Sequence, residues 1–120
     1  MSRVADHLIR HGTMRGGMFR SRKLLDTARD APCMNCATED GTIVAAHENG
    51  QAGDKGFANK SHDHRIAFLC HRCHSWLYQG SGMDPTEQYG GNREEKALMW
   101  DRAYRLTWRW LWATGKVRVA

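Results

Sequence analysis

Residues 70–76 read CHRCHSW, and the fold turns on what Cys70, Cys73 and His74 do there. As CxxCH, the run matches the attachment pattern of a c-type haem. It is also half of a four-sulfur metal site if a second CxxC stands elsewhere, and CMNC occupies residues 33–36. Two intervening residues let both sulfurs of such a knuckle face one ion, and two knuckles close a tetrahedral shell. Residues 37–69 separate the pairs, more than the spacing of about 15–20 in a zinc ribbon. That is room for a strand, a loop and a returning strand. Cys33, Cys36, Cys70 and Cys73 are therefore the candidate ligands of a structural Zn2+. Four thiolates leave no open coordination position, so such an ion holds a fold together and does no chemistry.

The rival uses of these cysteines are weaker. Covalent haem attachment and disulfides both go with export. The N-terminus, MSRVADHLIRHGTMRGGMFR, has no uninterrupted apolar core of signal-peptide length, and no segment reaches the roughly 20 apolar residues that span a bilayer. The expected location is a reducing cytoplasm. At 120 residues the chain fits one domain with a modest core, the size at which a metal staple counts. A net charge of +5 and a pI near 9.3 favour a polyanionic partner. Nucleic acid is the first candidate on charge, with no membrane partner and no small-molecule substrate expected.

Outward from the knuckles, residues 1–20 carry scattered Arg, Met and Gly and read as a flexible basic arm. SRKLLDTARD (21–30) sets Leu24, Leu25 and Ala28 on one helical face behind Ser21 as N-cap. TIVAAH (42–47) reads as a strand ending at His47, residues 48–63 as a loop, and RIAFLC (65–70) as the returning strand. A helix then runs from about Cys70 to Gly80. Residues 81–92 read as linker, with a cap, a proline and a glutamate of a helical turn at 84–87. The clearest helix spans about 93–114, from Asn92 and Glu95 as a capping-box-like start to Gly115 as its stop. Met99, Ala103, Leu106, Trp110 and Ala113 fall on one face of it, and Arg102, Arg105 and Arg109 on another. The expected fold class is α+β: residues 21–120 as a single zinc domain, its ββα core at about 31–80, with a short N-terminal helix and the long C-terminal helix packed on it.

With the zinc shell closed, catalysis needs other groups, and His47 and His74 are the two best placed. Here the chain resembles the HNH, or ββα-metal, nucleases, in whose zinc-bearing members a strand ends in histidine and, after a loop and a second strand, a helix opens with CxxCH. The matching stretches are AAH (45–47) and LCHRCH (69–74). More narrowly, the chain is similar to small prophage nucleases of the YbcO type, from about Arg22 through RKLLDTARDAPC, IVAAH and DHRIAFLCHRCH to LTWRWLWATGKVRVA. The resemblance implies a metal-dependent endonuclease that hydrolyses DNA phosphodiester bonds, with DNA as its partner and the cytoplasm of a bacterial host as its location. His47 is then the general base. His74, joined by Asp63 or a neighbour such as His62 or His64, is then a ligand to a second divalent ion, Mg2+ or a transition metal. Two departures stand out. Ala46 occupies the position where many members carry Asp before the base, and the central Asn has no clear counterpart near Arg65.

Plainer readings exist for each residue. His47 could merely end a strand, and His74 could sit on the surface of the helix or replace a cysteine as ligand. The tryptophans read as core rather than base-stacking groups. Lys60, Arg65, Arg102, Arg105 and Arg109 are the candidate phosphate contacts, although an arginine stripe is by default a solvated face. The alternative function is a zinc-stabilised nucleic-acid-binding module without catalysis.

Overall fold

A computed structural model describes residues 13–15, 18–48 and 64–117. Its elements make a small α+β unit. Within the stretch expected as an arm, β1 (Thr13–Arg15) pairs antiparallel with β2 (Met18–Arg20), Thr13 lying opposite Arg20. Ser21 opens α1 (Arg22–Asp26) as its sequence position predicts, its hydroxyl accepting from the Leu24 N–H at 3.2 Å. The helix tightens into a 3-10 turn over Thr27–Asp30 and stops there. Pro32 is the reason: the residue before a proline is driven out of the helical region, and Ala31 is extended at φ −101°, ψ 154°.

The centre of the fold is an antiparallel pair, β3 (Val44–His47) and β4 (Ile66–Leu69), registered Val44 to Leu69 and His47 to Ile66. Both strands are shorter than the apolar runs that predict them. All four residues of β4 are buried, which a two-stranded ribbon achieves only if other elements cover it. α3 (Arg93–Ala113) does most of this. The Phe68 N–H donates to Thr107 Oγ1 of α3 at 3.0 Å, and the Phe68 carbonyl accepts from the Met34 N–H at 2.8 Å. The polar backbone groups that Phe68 presents on the edge of β4 away from β3 are thus satisfied by the same chain, as burial demands.

α2 (His71–Gln79) follows β4 directly and ends at Gly80, where a Cβ would stand 2.7 Å from the Trp76 Cα. α3 begins as its sequence predicts, Asn92 Oδ1 accepting from the Glu95 N–H at 2.8 Å. The Glu95 carboxylate reaches back to the Gly90 N–H at 2.8 Å. At its far end Gly115 turns to φ 75°, and the N–H groups of Gly115 and Lys116 return to Trp112 O and Leu111 O, the 5→2 and 6→1 bonds of a Schellman stop.

The core face of α3 differs from the expected one. Met99, Trp100, Ala103, Thr107 and Leu111 are buried, whereas Leu106 and Trp110 pack only at its margin and Ala113 is exposed. The helix seats along a run of four-residue steps, 99, 103, 107 and 111, that passes through a threonine, so an apolar count alone drifts off it. The expected helical turn at 84–87 is instead an isolated turn. Asp84 does cap it, but Glu87 adopts φ 61° and leaves the helical region.

Candidate metal centre and the histidines beside it

The first knuckle is shaped by its own backbone. The Ala37 N–H returns to Cys33 O, and the Cys33 N–H to Thr38 O, both at 2.9 Å. This wraps residues 33–38 around the sulfurs and drives Ala37 to φ 68°. The Met34 bond to Phe68 fixes the knuckle to β4. The second knuckle begins where β4 ends, with Cys70 as the N-cap of α2 and Cys73 in its first turn. One short strand thereby brings together two sulfur pairs that lie far apart in sequence.

The four sulfurs all lie within 4.8 Å of one another, and no cysteine is in a disulfide. Cys36 Sγ and Cys70 Sγ are 3.6 Å apart, against about 3.8 Å for two corners of a tetrahedron with 2.3 Å metal–sulfur bonds. Three donors point at the sulfurs: the Asn35 and Cys36 N–H groups at Cys33, both at 3.4 Å, and Asn35 Nδ2 at Cys73, at 3.3 Å. Donors of this kind stabilise thiolates rather than thiols. The hydrogen bond with Cys73 lowers the Cys33 thiol to about 4, more than burial raises it. The same bond, with burial, pushes the Cys73 thiol far up. Burial likewise raises Cys70. Four sulfurs this close do not all ionise unaided, and a divalent cation resolves the conflict. The cluster has the donor set, the dimensions and the N–H shell for one.

Behind the cluster lies a buried carboxylate that the sequence did not flag as functional. Asn35 Nδ2 also donates to Asp84 Oδ2 at 2.8 Å, so Asp84 aims the amide that serves Cys73. Asp84 accepts further bonds from Thr86 N and Oγ1, Gln88 N and Tyr89 N. Burial alone raises its pKa, but the bonds from Thr86, Asn35 and Tyr89 together lower it to about 2.

His47 ends β3 and His74 lies in α2, both half-buried. Tyr78 connects them: its hydroxyl donates to His47 O at 2.8 Å, and its ring lies 4.7 Å from the His74 ring, tilted by 46°. Burial, helped by nearby His71, holds the His74 imidazole below the usual histidine value, which favours the neutral form that binds metals. Alongside runs a groove of about 580 Å³, lined among others by Glu48, Leu77, Tyr78, Lys96, Trp100 and Asp101. Nothing in the sequence marks Tyr78, because its link to His47 spans 31 residues and two elements.

Ala46, with 1% of its surface exposed, points to the opposite side of the strand from His47. Its carbonyl accepts from Trp100 Nε1 at 3.1 Å.

Arg65 is occupied. Its Nε and Nη2 donate to the two Glu48 oxygens at 3.1 and 2.8 Å, and its guanidinium lies 5.5 and 4.8 Å from the stacked rings of Trp100 and Tyr104. In this position it ties the end of β3 to the start of β4. Arg102, Arg105 and Arg109 are exposed on α3, with Arg105 paired to Asp101. Lys60, His62 and Asp63 lie outside the described residues. So does most of the loop expected at 48–63. No described helix is long and apolar enough to cross a membrane. Compared with known protein families, curated proteins and solved structures, the chain matches none.

Proposed function

We propose that this chain is a zinc-stapled, metal-dependent endonuclease of the HNH, prophage type that hydrolyses DNA phosphodiester bonds. The observation that carries the reading is the arrangement around Tyr78. The four-cysteine cluster joins the end of β4 to α2, and Tyr78 of α2 then links the end of β3 at His47 with the ring of His74. Zn2+ is the ion that four thiolates at this spacing suit, and thiolate ligation fits the reducing bacterial cytoplasm.

In this reading His47 is the general base and takes a proton from the water that attacks the scissile phosphate. His74, joined by Asp63 or a neighbour such as His62 or His64, would hold the catalytic divalent ion, Mg2+ or a transition metal, through a neutral imidazole nitrogen. Held there, such an ion would supply charge stabilisation to the phosphorane and the leaving oxygen. Tyr78 keeps the strand end and the helix at a fixed separation. The basic surface holds the DNA backbone.

One observation favours the second reading, a zinc-stabilised nucleic-acid-binding module without catalysis. Position 46 carries a core-facing alanine instead of a carboxylate, so the ligand set beside His47 is smaller. Plasmid nicking with added Mg2+, Mn2+ or Ni2+ decides between them. Wild type is expected to nick and His47→Ala to lose at least about a hundredfold in rate. Binding without nicking under every metal favours the module, and equal cutting by His47→Ala removes His47 as base.

A further inference from the structure

The outward face of α3 carries more than a solvated face requires. At 100° per residue, Leu98, Arg102, Arg105, Arg109 and Trp112 fall within about 80° of arc, directly opposite the buried Met99, Ala103, Thr107 and Leu111. All five are exposed. Arg102 and Arg109 have no ion pair among the described residues, and the pair between Arg105 and Asp101 is solvent-exposed and therefore weak. Trp112, one turn beyond Arg109, leaves 39% of its surface in solvent. It is the most exposed of the four tryptophans on this helix, and it lies on the arginine line rather than at the margin of the core.

Charge and shape narrow the occupant. A second copy meeting this face symmetrically would set three arginines against three. A lipid surface needs a continuous apolar face, whereas Leu98 and Trp112 stand about 21 Å apart along the axis with only charge between them. From Arg102 to Arg109 is about 10 Å, about three of the 3.4 Å axial steps between phosphates of one duplex strand, a length over which three arginines can meet neighbouring phosphates. An indole at the end of such a line gains from a flat apolar ring, and unpaired bases offer one, whereas paired bases cover each other's faces.

We propose that the outward face of α3 binds an unpaired stretch of nucleic acid, with Arg102, Arg105 and Arg109 on successive phosphates and Trp112 stacked on a base. This rests on the reading of DNA as substrate and narrows that substrate to DNA with a single-stranded segment, such as a branch, gap or flap.

The test uses zinc-loaded His47→Ala protein without added divalent ions, so that binding is measured apart from cutting. Anisotropy titrations of a labelled 20-mer, single-stranded and as duplex, are run across a salt series. The single strand is expected to bind more tightly. Trp112→Ala should weaken single-strand binding about tenfold or more and leave the duplex unchanged, with Trp112→Phe largely restoring it. The double variant Arg102→Ala/Arg109→Ala should reduce the slope of log K against log salt by about 1.4 for the single strand. Both sites are exposed, so circular dichroism and zinc content should match the parent. Unchanged single-strand affinity in Trp112→Ala, or an unchanged salt slope in the arginine variant, overturns the proposal. So does binding to anionic vesicles that Trp112→Ala abolishes while strand binding survives. Wild type that binds strands as described but nicks nothing sinks the nuclease reading alone.

Discussion

Asp84 shows how a single carboxylate can organise a site it never enters. It is 1% exposed and accepts five hydrogen bonds, one of them from the amide that serves Cys73. Its folded pKa of about 2 lies below the ordinary value of 3.8, so the charged form favours the native state. The stabilisation is complete above about pH 4 and is lost as the pH falls through about 2, with an expected size of about 2 kcal/mol. Asp84→Asn should lose it at neutral pH, because its NH2 would face the Asn35 amide and the backbone donors. Urea melts of the two proteins from pH 6 to pH 2 should show a gap that closes toward the acid end. Thiolate protonation weakens both alike, so the difference is the readout. A second residue points the other way. Ala37 holds φ 68°, a region where a Cβ costs about 1 kcal/mol, so Ala37→Gly should raise stability by about that amount in the same melts. The cysteines, Ser21, Asn92 and Gly115 were legible because their signals are local. Asp84 was not: its link to Asn35 spans 49 residues, and Asp-Pro-Thr reads equally well as the start of a helix.

At the scale of elements, α3 and β4 depend on one hydroxyl. Thr107 is fully buried. It accepts from the Phe68 N–H and donates to Ala103 O at 2.7 Å. Thr107→Val keeps the shape but strands a buried N–H, at an expected cost of about 1–3 kcal/mol, while Thr107→Ser should retain the bond and cost less. Thermal melts of the two variants at equal zinc content check this. A polar residue on the core face is what sequence periodicity discards, and this is why the predicted face of α3 passed through Leu106 and Trp110 instead of Thr107. The existence and bounds of α2 and α3 were readable from caps and stops. The pairing of β3 with β4 was readable from two β-branched and apolar runs flanking a polar loop. How α3 would rotate against β4 was not, because that depends on a bond between residues 39 apart.

For the molecule as a whole, the cysteine cluster and the hydrophobic core are one body. Cys33, Cys70 and Cys73 are buried among the same residues as Phe68, Leu69 and Leu77, so the binding energy of an ion held there would be folding energy. Wild type should contain about one tightly held zinc per chain by elemental analysis. Prolonged chelation, or Cys73→Ser, should abolish the cooperative melt and the near-ultraviolet dichroism of the packed tryptophans. A protein that keeps both after complete metal removal would owe its fold to packing alone. The two CxxC pairs made the cluster readable. The link through Tyr78 between His47 and His74 was not readable, because it exists only once the cluster has fixed the course of the chain.

The plugged flank of β4 has a further consequence. An uncovered sheet margin invites strand addition from a neighbour and, from there, fibre growth. Thr107 and Met34 already fill the hydrogen-bonding positions of Phe68 on that side, so no second molecule can extend the sheet there without first unseating the closing helix. The molecule is thereby kept from polymerising through its most apolar strand.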